Sequence, residues 1–328
     1  MIEKELNAEL TRHTTFGIPA TAAVLVRWDD EDDLRAILAD TSLPRPLKIV
    51  GGGSNLLFTR PFEGTVLLRA GRPEFSINPD TLEMTADAHC VLDDLCAATA
   101  ARGLRGLENL SAIPGTLGGA ITQDAGAYGS EIGDAFISAR LMDMQTGDIL
   151  EVDRTWMHFG YRTSRLKEEP GRYVVLDARL QLQPADSPAR LDYPALRQVV
   201  EGENPSAEEI REAVVRVRNS KLPDPKETGS AGSFFRNPEV DPSLLQPEMP
   251  RYMLPNGLAK VPAAWLIAQC GLKGARKGGA MAWQTQPLVI VNAEGHATAA
   301  DVLDLEQTIV DAVRSRFGIT LTPEVEHI

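Results

Sequence analysis

The chain has 328 residues, 43% of them apolar and 24% charged, with a formal net charge of −13; this is the composition of a folded protein with room for two or three domains. The acidity argues against nucleic acid or an anionic membrane surface as partner. No apolar run reaches the about 18 residues of a membrane span, and the opening MIEKELNAELTRH is too charged for a signal peptide, so a cytoplasmic protein is expected.

Residues 22–28 (AAVLVRW) and 47–50 (LKIV) are expected as short buried strands, with a helix over 30–39 whose acidic first turn suits the helix dipole. The second strand runs into Gly51, Gly52, Gly53, Ser54 and Asn55, a loop whose backbone amides could hold a diphosphate. It matches neither the lysine-bearing phosphate loop of ATP-binding proteins nor a GxGxxG turn opening a helix, and a tight turn alone explains three glycines. Residues 91–102 read as a helix with Leu92, Leu95 and Cys96 on one face, followed by a long glycine-rich loop region over 103–133. Within it, 111–129 (SAIPGTLGGAITQDAGAYG) holds no Lys or Arg, so phosphate bound there must meet backbone amides. Two such loops suggest one ligand with two or more phosphates.

A hairpin is expected over 139–144 and 149–152, joined by QTGD, then a strand over 174–182 and a polar break at 183–190. Ser206 and Glu209 form a capping box for a helix to about 219, stopped by the prolines of LPDP. A helix over 261–272 and a strand over 287–293 follow. Thr298 can cap a long helix to 316 with Val302, Leu305, Ile309 and Val313 along one stripe, and 320–328 is strand-like.

Two tracts point to chemistry. In KLPDPKETGSAGSFFRNP, Gly229 and Gly232 allow Ser233 a close approach to a ligand, while Phe234 and Phe235 can exclude water beside it. An ordinary surface turn before a buried strand is the plain alternative. Residues 249–293 contain no Asp or Glu but hold Arg251, Lys260, Lys273, Arg276 and Lys277, which suggests an anion site, against a chance cluster of solvated cations. Cys90, Cys96 and Cys270 fit neither a zinc spacing nor a disulfide framework and read as core or incidental residues; the five histidines form no ligand spacing, and no metal is expected.

GGGSNLLF, IPGTLGGA with GAYG, FGYRTSRLK and GSAGSFFRNP occur in this order, and the likeness extends from Thr14-Thr15-Phe16-Gly17 to Pro323-Glu324-Val325. Each motif alone is unspecific; the ordered set closely resembles the UDP-N-acetylenolpyruvoylglucosamine reductases, the MurB family of flavoproteins. The resemblance implies an α+β protein: a two-part FAD-binding domain of the PCMH type, over 1–70 with 319–328 and over 71–200, and a C-terminal α+β substrate-binding domain over 201–318. It implies NADPH-dependent reduction of UDP-N-acetylglucosamine enolpyruvate to UDP-N-acetylmuramate in peptidoglycan precursor synthesis, by a monomer whose partners are NADPH and the UDP-sugar. The FAD is expected to be non-covalent, since neither glycine loop carries a His or Cys.

The same resemblance places Gly51, Gly52, Gly53, Ser54, Asn55, Ser111, Pro114, Gly115, Thr116, Gly118, Gly119 and Gly126 at FAD. Hydride addition to C3 of the enolpyruvyl group builds charge on C2 and its carboxylate, which needs fixed positive or hydrogen-bonding groups and then a proton. Arg162 resembles the family's enolate-stabilising arginine, although a surface ion pair is its alternative given Glu168 and Glu169 nearby. Ser233 matches the proton donor and Glu324 the catalytic glutamate; Glu326, two residues on, shares its side of a strand. Tyr161, Tyr193, Lys221, Asn237, Tyr252, Lys260 and Lys273 are expected at the UDP-sugar, with Tyr193 either a tyrosine closing over substrate or a packing residue of a linker. Arg218 and Lys221 resemble residues near the nicotinamide and diphosphate sites. Asp124 stands where the family usually has Asn, and it is expected to point away from the flavin or bond to backbone. A sugar or alcohol oxidase with the same FAD domain, and a nucleotide-sugar binding module without catalysis, are the competing readings.

Overall fold

The structure is a computed structural model and describes residues 2–200, 202 and 204–328. The chain forms two compact units, one of residues 2–8, Ala22–Gly52 and Glu63–Ser220, the other of Glu9–Thr21, Gly53–Phe62 and Lys221–Ile328.

The first unit is built on two sheets. One has the strand order Glu3–Glu9, Thr21–Trp28, Phe62–Arg69, Leu47–Val50, the last two parallel. Val24, Val26 and Trp28 alternate onto one face of their strand and pack with Leu67 against Leu34 and Ile37 of the helix Glu31–Ala39. That helix starts where the Asp30 side chain accepts a bond from Asp33 N. The second sheet is antiparallel, in the order Ile149–Asp153, Phe136–Asp143, Tyr173–Gln181, Glu83–Asp87, Phe75–Ile77. Its inner face packs Met84, Leu141 and Leu180 against Leu92, Leu95 and Cys96 of the helix Leu92–Ala100, and full burial of each large side chain stabilises by about 1.5–3 kcal/mol.

The glycine-rich region is more ordered than expected. Leu117–Gln123 is a helix, started by Thr116, whose hydroxyl accepts from Gly119 N. Leu117, Ala120 and Ile121, at helical spacing, are its buried residues. Asp124 ends it in the left-handed region, at φ 48°.

The three-part division expected from the sequence meets a different grouping. The helix Ala207–Asn219 goes with the first unit, because Ile210, Ala213 and Val214 bury against Leu196 and Val200. The expected boundary at residue 201 lies outside the described residues. Residues 319–328 fold with 221–318, and Glu326–His327 pairs in parallel with Leu56–Leu57 in the second unit.

The second unit has one sheet in the order Gly229–Ser230, Ile290–Asn292, Ala280–Ala282, Arg276–Lys277 and a smaller one in the order Glu239–Val240, Ala259–Lys260, Tyr252–Met253. The helix Ala299–Phe317 opens on a Thr298–Asp301 capping box and buries the expected stripe of Val302, Leu305, Ile309 and Val313. The helix expected over 261–272 is shorter, Ala263–Gln269: Pro262 holds an extended backbone as its N-cap and Cys270 ends it. Among the described residues no helix is long and apolar enough to cross a membrane.

Candidate active site

In the first unit the two glycine loops meet backbone to backbone. A Cβ on Gly51 would lie 2.5 Å from the Thr116 hydroxyl oxygen, and one on Gly52 2.7 Å from Gly115 Cα. Glycine permits that approach, and the exposed backbone of Gly51 and Gly52, bare of side chains, suits a diphosphate held without cationic side chains. The residues of this cradle therefore fit FAD, with Gly51, Gly52, Gly115 and Thr116 at its centre.

Several other residues expected at FAD also hold the loops in place. Gly53, at φ 60°, lies so close to the His13 carbonyl that a Cβ would overlap it. Asn55 Nδ2 donates to the Glu324 carbonyl at 3.1 Å. The Ser111 hydroxyl donates to Glu108 O at 2.6 Å, and Gly118 N to Ala88 O at 2.8 Å. Gly126 O accepts from Arg162. Ser54 and Pro114 are half-buried in the same loops, and Gly119 is tied to the Thr116 cap.

Arg162 sits in a tight turn in which Gly160 and Thr163 exchange both backbone bonds, at 3.1 and 2.9 Å. Its own backbone is left-handed, φ 57°, a conformation of a non-glycine residue that costs on the order of 1 kcal/mol and clusters at functional sites. The guanidinium donates to Asp124 O at 3.3 Å and to Gly126 O, lies 3.8 Å from a Glu131 carboxylate oxygen and 5.2 Å over the Tyr161 ring. Of the carboxylates nearby in sequence, Glu169 is taken by Arg165, at 2.8 Å, so the ion pair of Arg162 is with Glu131 instead.

Asp124 makes the backbone bond foreseen for it: the buried carboxylate accepts from Gly133 N at 3.0 Å. Burial pushes this carboxyl up to about 6; the Gly133 N–H and Arg162 act against that, while Glu131 and Asp134 add to it. Its burial and its link to Arg162 were not visible in the sequence. The one available signal was an Asp at the end of LGGAITQ, a residue type that tolerates the left-handed cap.

In the second unit Ser233 is exposed between Gly232 and the fully buried Phe234 and Phe235. Phe235 bridges antiparallel to Pro323, and Glu324 N donates to Phe234 O at 2.7 Å. The serine and the glutamate, far apart in sequence, are thereby brought onto adjacent extended segments. Glu324 is half-buried and Glu326 exposed, and Glu326 N instead donates to Asn55 O at 3.0 Å within the pairing to Leu56–Leu57. That difference favours Glu324. Behind Phe234 lies a pair the sequence did not single out: His327 Nε2 is 3.3 Å from a Glu306 carboxylate oxygen, and its ring is 5.9 Å from that of Phe234. Burial raises Glu306 to about 7 and lowers His327.

The substrate-side residues fall into two groups. Tyr252, Lys260 and Glu239 share the small sheet of the second unit, with Tyr252 exposed and Lys260 3.3 Å from Glu239. Asn237 Oδ1 accepts from Ala263 N at 2.9 Å, fixing the start of that helix; Lys221 O accepts from Thr285, and Lys273 is exposed. Tyr161 and Tyr193 belong to the first unit, where Tyr193 is exposed and its ring meets that of Tyr128 edge-on at 5.2 Å. Tyr128 accepts a bond from the half-buried Arg218, whose pKa burial lowers. Cys90 and Cys96 are buried; burial pushes the Cys90 thiol up to about 11 and the Cys96 thiol up as well, so both behave as core residues.

Comparison with known proteins gives the same picture along the whole chain. Residues 22–153 match a family model described as an FAD binding domain, and residues 224–328 one described as the C-terminal domain of UDP-N-acetylenolpyruvoylglucosamine reductase. The UDP-N-acetylenolpyruvoylglucosamine reductase of Pseudomonas aeruginosa is 41% identical over 98% of this chain and 98% of its own, and that of an Azoarcus species 40% identical over 97% and 96%. The crystal structure of UDP-N-acetylenolpyruvylglucosamine reductase (MurB) from Thermus caldophilus superposes with a TM-score of 0.71 at 27% identity, covering 100% of this chain and 98% of that one. The chain belongs to the UDP-N-acetylenolpyruvoylglucosamine reductase family.

Proposed function

We propose that this protein reduces the enolpyruvyl ether of UDP-N-acetylglucosamine to UDP-N-acetylmuramate in peptidoglycan precursor synthesis, with Arg162, Ser233 and Glu324 as its catalytic residues. When bound, FAD supplies the hydride relay from NADPH to C3 of the enolpyruvyl group. The observation that carries the residue assignment is the Glu324 N to Phe234 O bond, which sets Ser233 and Glu324 on adjacent segments.

Arg162 stabilises the negative charge that grows on C2 and its carboxylate, with a guanidinium already held by two carbonyls. Ser233 gives its proton to C2 as that charge forms, since a free hydroxyl is too weak an acid to do so earlier. Its exposure lets solvent return the proton. Glu324 acts on the enolpyruvyl carboxylate, donating a hydrogen bond to it if protonated or orienting a water or cation beside it if ionised. Gly51, Gly52, Gly115 and Thr116 hold the FAD diphosphate, supported by the close backbone approach of the two loops. Tyr252, Lys260, Asn237 and Lys273 take the UDP portion, Lys221 and Tyr161 its neighbourhood, and exposed Tyr193 closes over the bound sugar. We read the enzyme as a cytoplasmic monomer acting on small molecules; its net charge of −13 disfavours nucleic acid and an anionic membrane surface as partners.

The test is direct. The purified protein should be yellow, and it should consume NADPH and form UDP-N-acetylmuramate in equal amounts when given the enolpyruvyl UDP-sugar. A colourless protein, or NADPH oxidation that yields no muramate product, would overturn the assignment.

A further inference from the structure

Asp124 is a buried carboxyl that neither the proposed proton step nor the proposed charge stabilisation uses, and it is wired to the arginine that does. Its carboxylate accepts from Gly133 N at 3.0 Å, while its carbonyl accepts from Arg162 at 3.3 Å. The second carbonyl that Arg162 grips, Gly126 O, is two residues further along the same turn. One aspartate therefore fixes, through its side chain, the backbone that aims the guanidinium.

We propose that Asp124 is a positioning residue for Arg162 whose charge state sets how much of the guanidinium's field reaches the developing enolate. This rests on the reading of Arg162 given above. The charges around Asp124 come from two places. Glu131 and Asp134 lie beside it on the segment around the helix Ile132–Ala135, and Arg162 lies on the 160–163 turn. Asp134 is itself met by Arg154, at 3.9 Å, and by Arg190, so its charge is partly offset. Glu131 already draws on Arg162 at 3.8 Å.

The sign follows from these charges. Burial holds Asp124 near 6 rather than in the ordinary carboxylate range. Below that pH it is neutral, and only Glu131 offsets the field that Arg162 presents to the substrate. Above it a second carboxylate appears beside the guanidinium, in a buried place where opposite charges offset one another more strongly than in water. Substrate-dependent reoxidation of the enzyme should therefore slow as pH rises from 5 to 7.5, by roughly three- to tenfold, a tenfold change matching one pKa unit of coupling.

The experiment compares intact holoenzyme and its Asp124→Asn variant by stopped flow between pH 5 and 8, with the enolpyruvyl UDP-sugar as oxidant. Asn keeps an acceptor for Gly133 N, so the turn is preserved, while the titration is removed. The variant is expected to be flat across this range, at the fast low-pH rate of the parent. A second readout is the thermal midpoint of the flavin-free protein, whose pH dependence near 6 should lose one proton in the variant. Glu306→Gln, which removes the other raised carboxyl, should keep the fall in rate. A parent that is flat from pH 5 to 8, an Asp124→Asn profile that still falls, or a Glu306→Gln profile that goes flat would each overturn the proposal. Arg162→Met separates the two layers: if it leaves reoxidation untouched, the role of Arg162 and this proposal fall together. If it slows reoxidation while Asp124→Asn keeps the parental profile, only the role of Asp124 falls.

Discussion

Arg162 and Ser233 are placed by opposite means. Arg162 stands on an irregular turn with a left-handed backbone, and its guanidinium is held by carbonyls from another irregular turn. Ser233 follows Gly232 and precedes two fully buried phenylalanines, the second of which, Phe235, fixes the segment by its bridge to Pro323. In the first case the functional group itself is clamped; in the second the backbone is clamped and the hydroxyl is left exposed. A clamped group should be intolerant of changes in shape, whereas a clamped backbone should tolerate any small side chain and lose only its chemistry.

The strongest test of that contrast is Ser233→Ala. NADPH oxidation by the bound flavin should stay nearly intact, because no proton goes to C2 in that half-reaction. Reoxidation by substrate should slow by roughly 10²–10⁴, the usual span for a lost general acid. Stopped-flow resolution of the two half-reactions checks this, and equal slowing of both would mean that the serine shapes the site. Arg162→Lys comes next. It keeps the charge but loses the planar fork that reaches two carbonyls, so reoxidation should slow by roughly 10–100-fold. A near-parental rate would show that charge alone suffices and that the clamp is incidental.

The glycine loops sharpen the same distinction. Gly52→Ala should yield a folded protein that retains much less flavin, because the new Cβ meets Gly115 Cα at 2.7 Å and pushes the cradle apart. Gly53→Ala should instead lower stability whether or not flavin is present, since its φ of 60° and the His13 carbonyl oppose any side chain. Flavin content measured by absorbance, beside thermal midpoints with and without added FAD, separates the two. Loss of flavin from a fully stable Gly53 variant would place the cradle further along the loop.

The smallest expected effect is at Glu306. Its carboxyl is raised from 4.5 to about 7, so the folded state binds a proton that the unfolded chain has lost between those values. Stability from this group is full below about 4.5 and is lost as pH rises toward 7. His327, lowered by burial, works in the other direction below its ordinary 6.5. Glu306→Gln should remove the decline above pH 4.5 and stabilise the protein at pH 8 by about 1 kcal/mol, a value discounted for partial exposure. Urea unfolding at pH 5 and pH 8 measures it, and an unchanged pH 8 midpoint would show that the His327 contact compensates the charge.

What the sequence made legible follows the same division between regular and irregular backbone. Helices with period and caps in agreement were visible, as with Asp30, the Ser206–Glu209 box and the Thr298 start. The strand Glu3–Glu9 was not, because it buries only Ala8 and carries no alternating apolar face. Leu117–Gln123 was hidden by its two glycines, which lower helix propensity although its apolar spacing is helical. At the candidate site, Ser233, Arg162 and Glu324 were singled out through their motifs. Their surroundings were not: the link of Asp124 to Arg162, the Glu306–His327 pair and the bond from Asn55 to the Glu324 carbonyl depend on contacts between segments distant in sequence, which no local pattern records.

The pairing of the first glycine loop with the strand bearing Glu324 has a kinetic side. Asn55 Nδ2 reaches the Glu324 carbonyl, and Thr59 the Ile328 carbonyl, each across 269 positions of chain. Closing so long a loop is entropically costly before any contact rewards it, and folding slows as mean contact separation grows. On the ribosome, where synthesis proceeds at about 5–20 residues per second, the segment around Asn55 must wait through most of translation for its partner. The edge of Leu56–Leu57 stays unpaired for that interval, which makes it the place where a nascent chain of this protein is open to chaperone capture or to pairing with a neighbour.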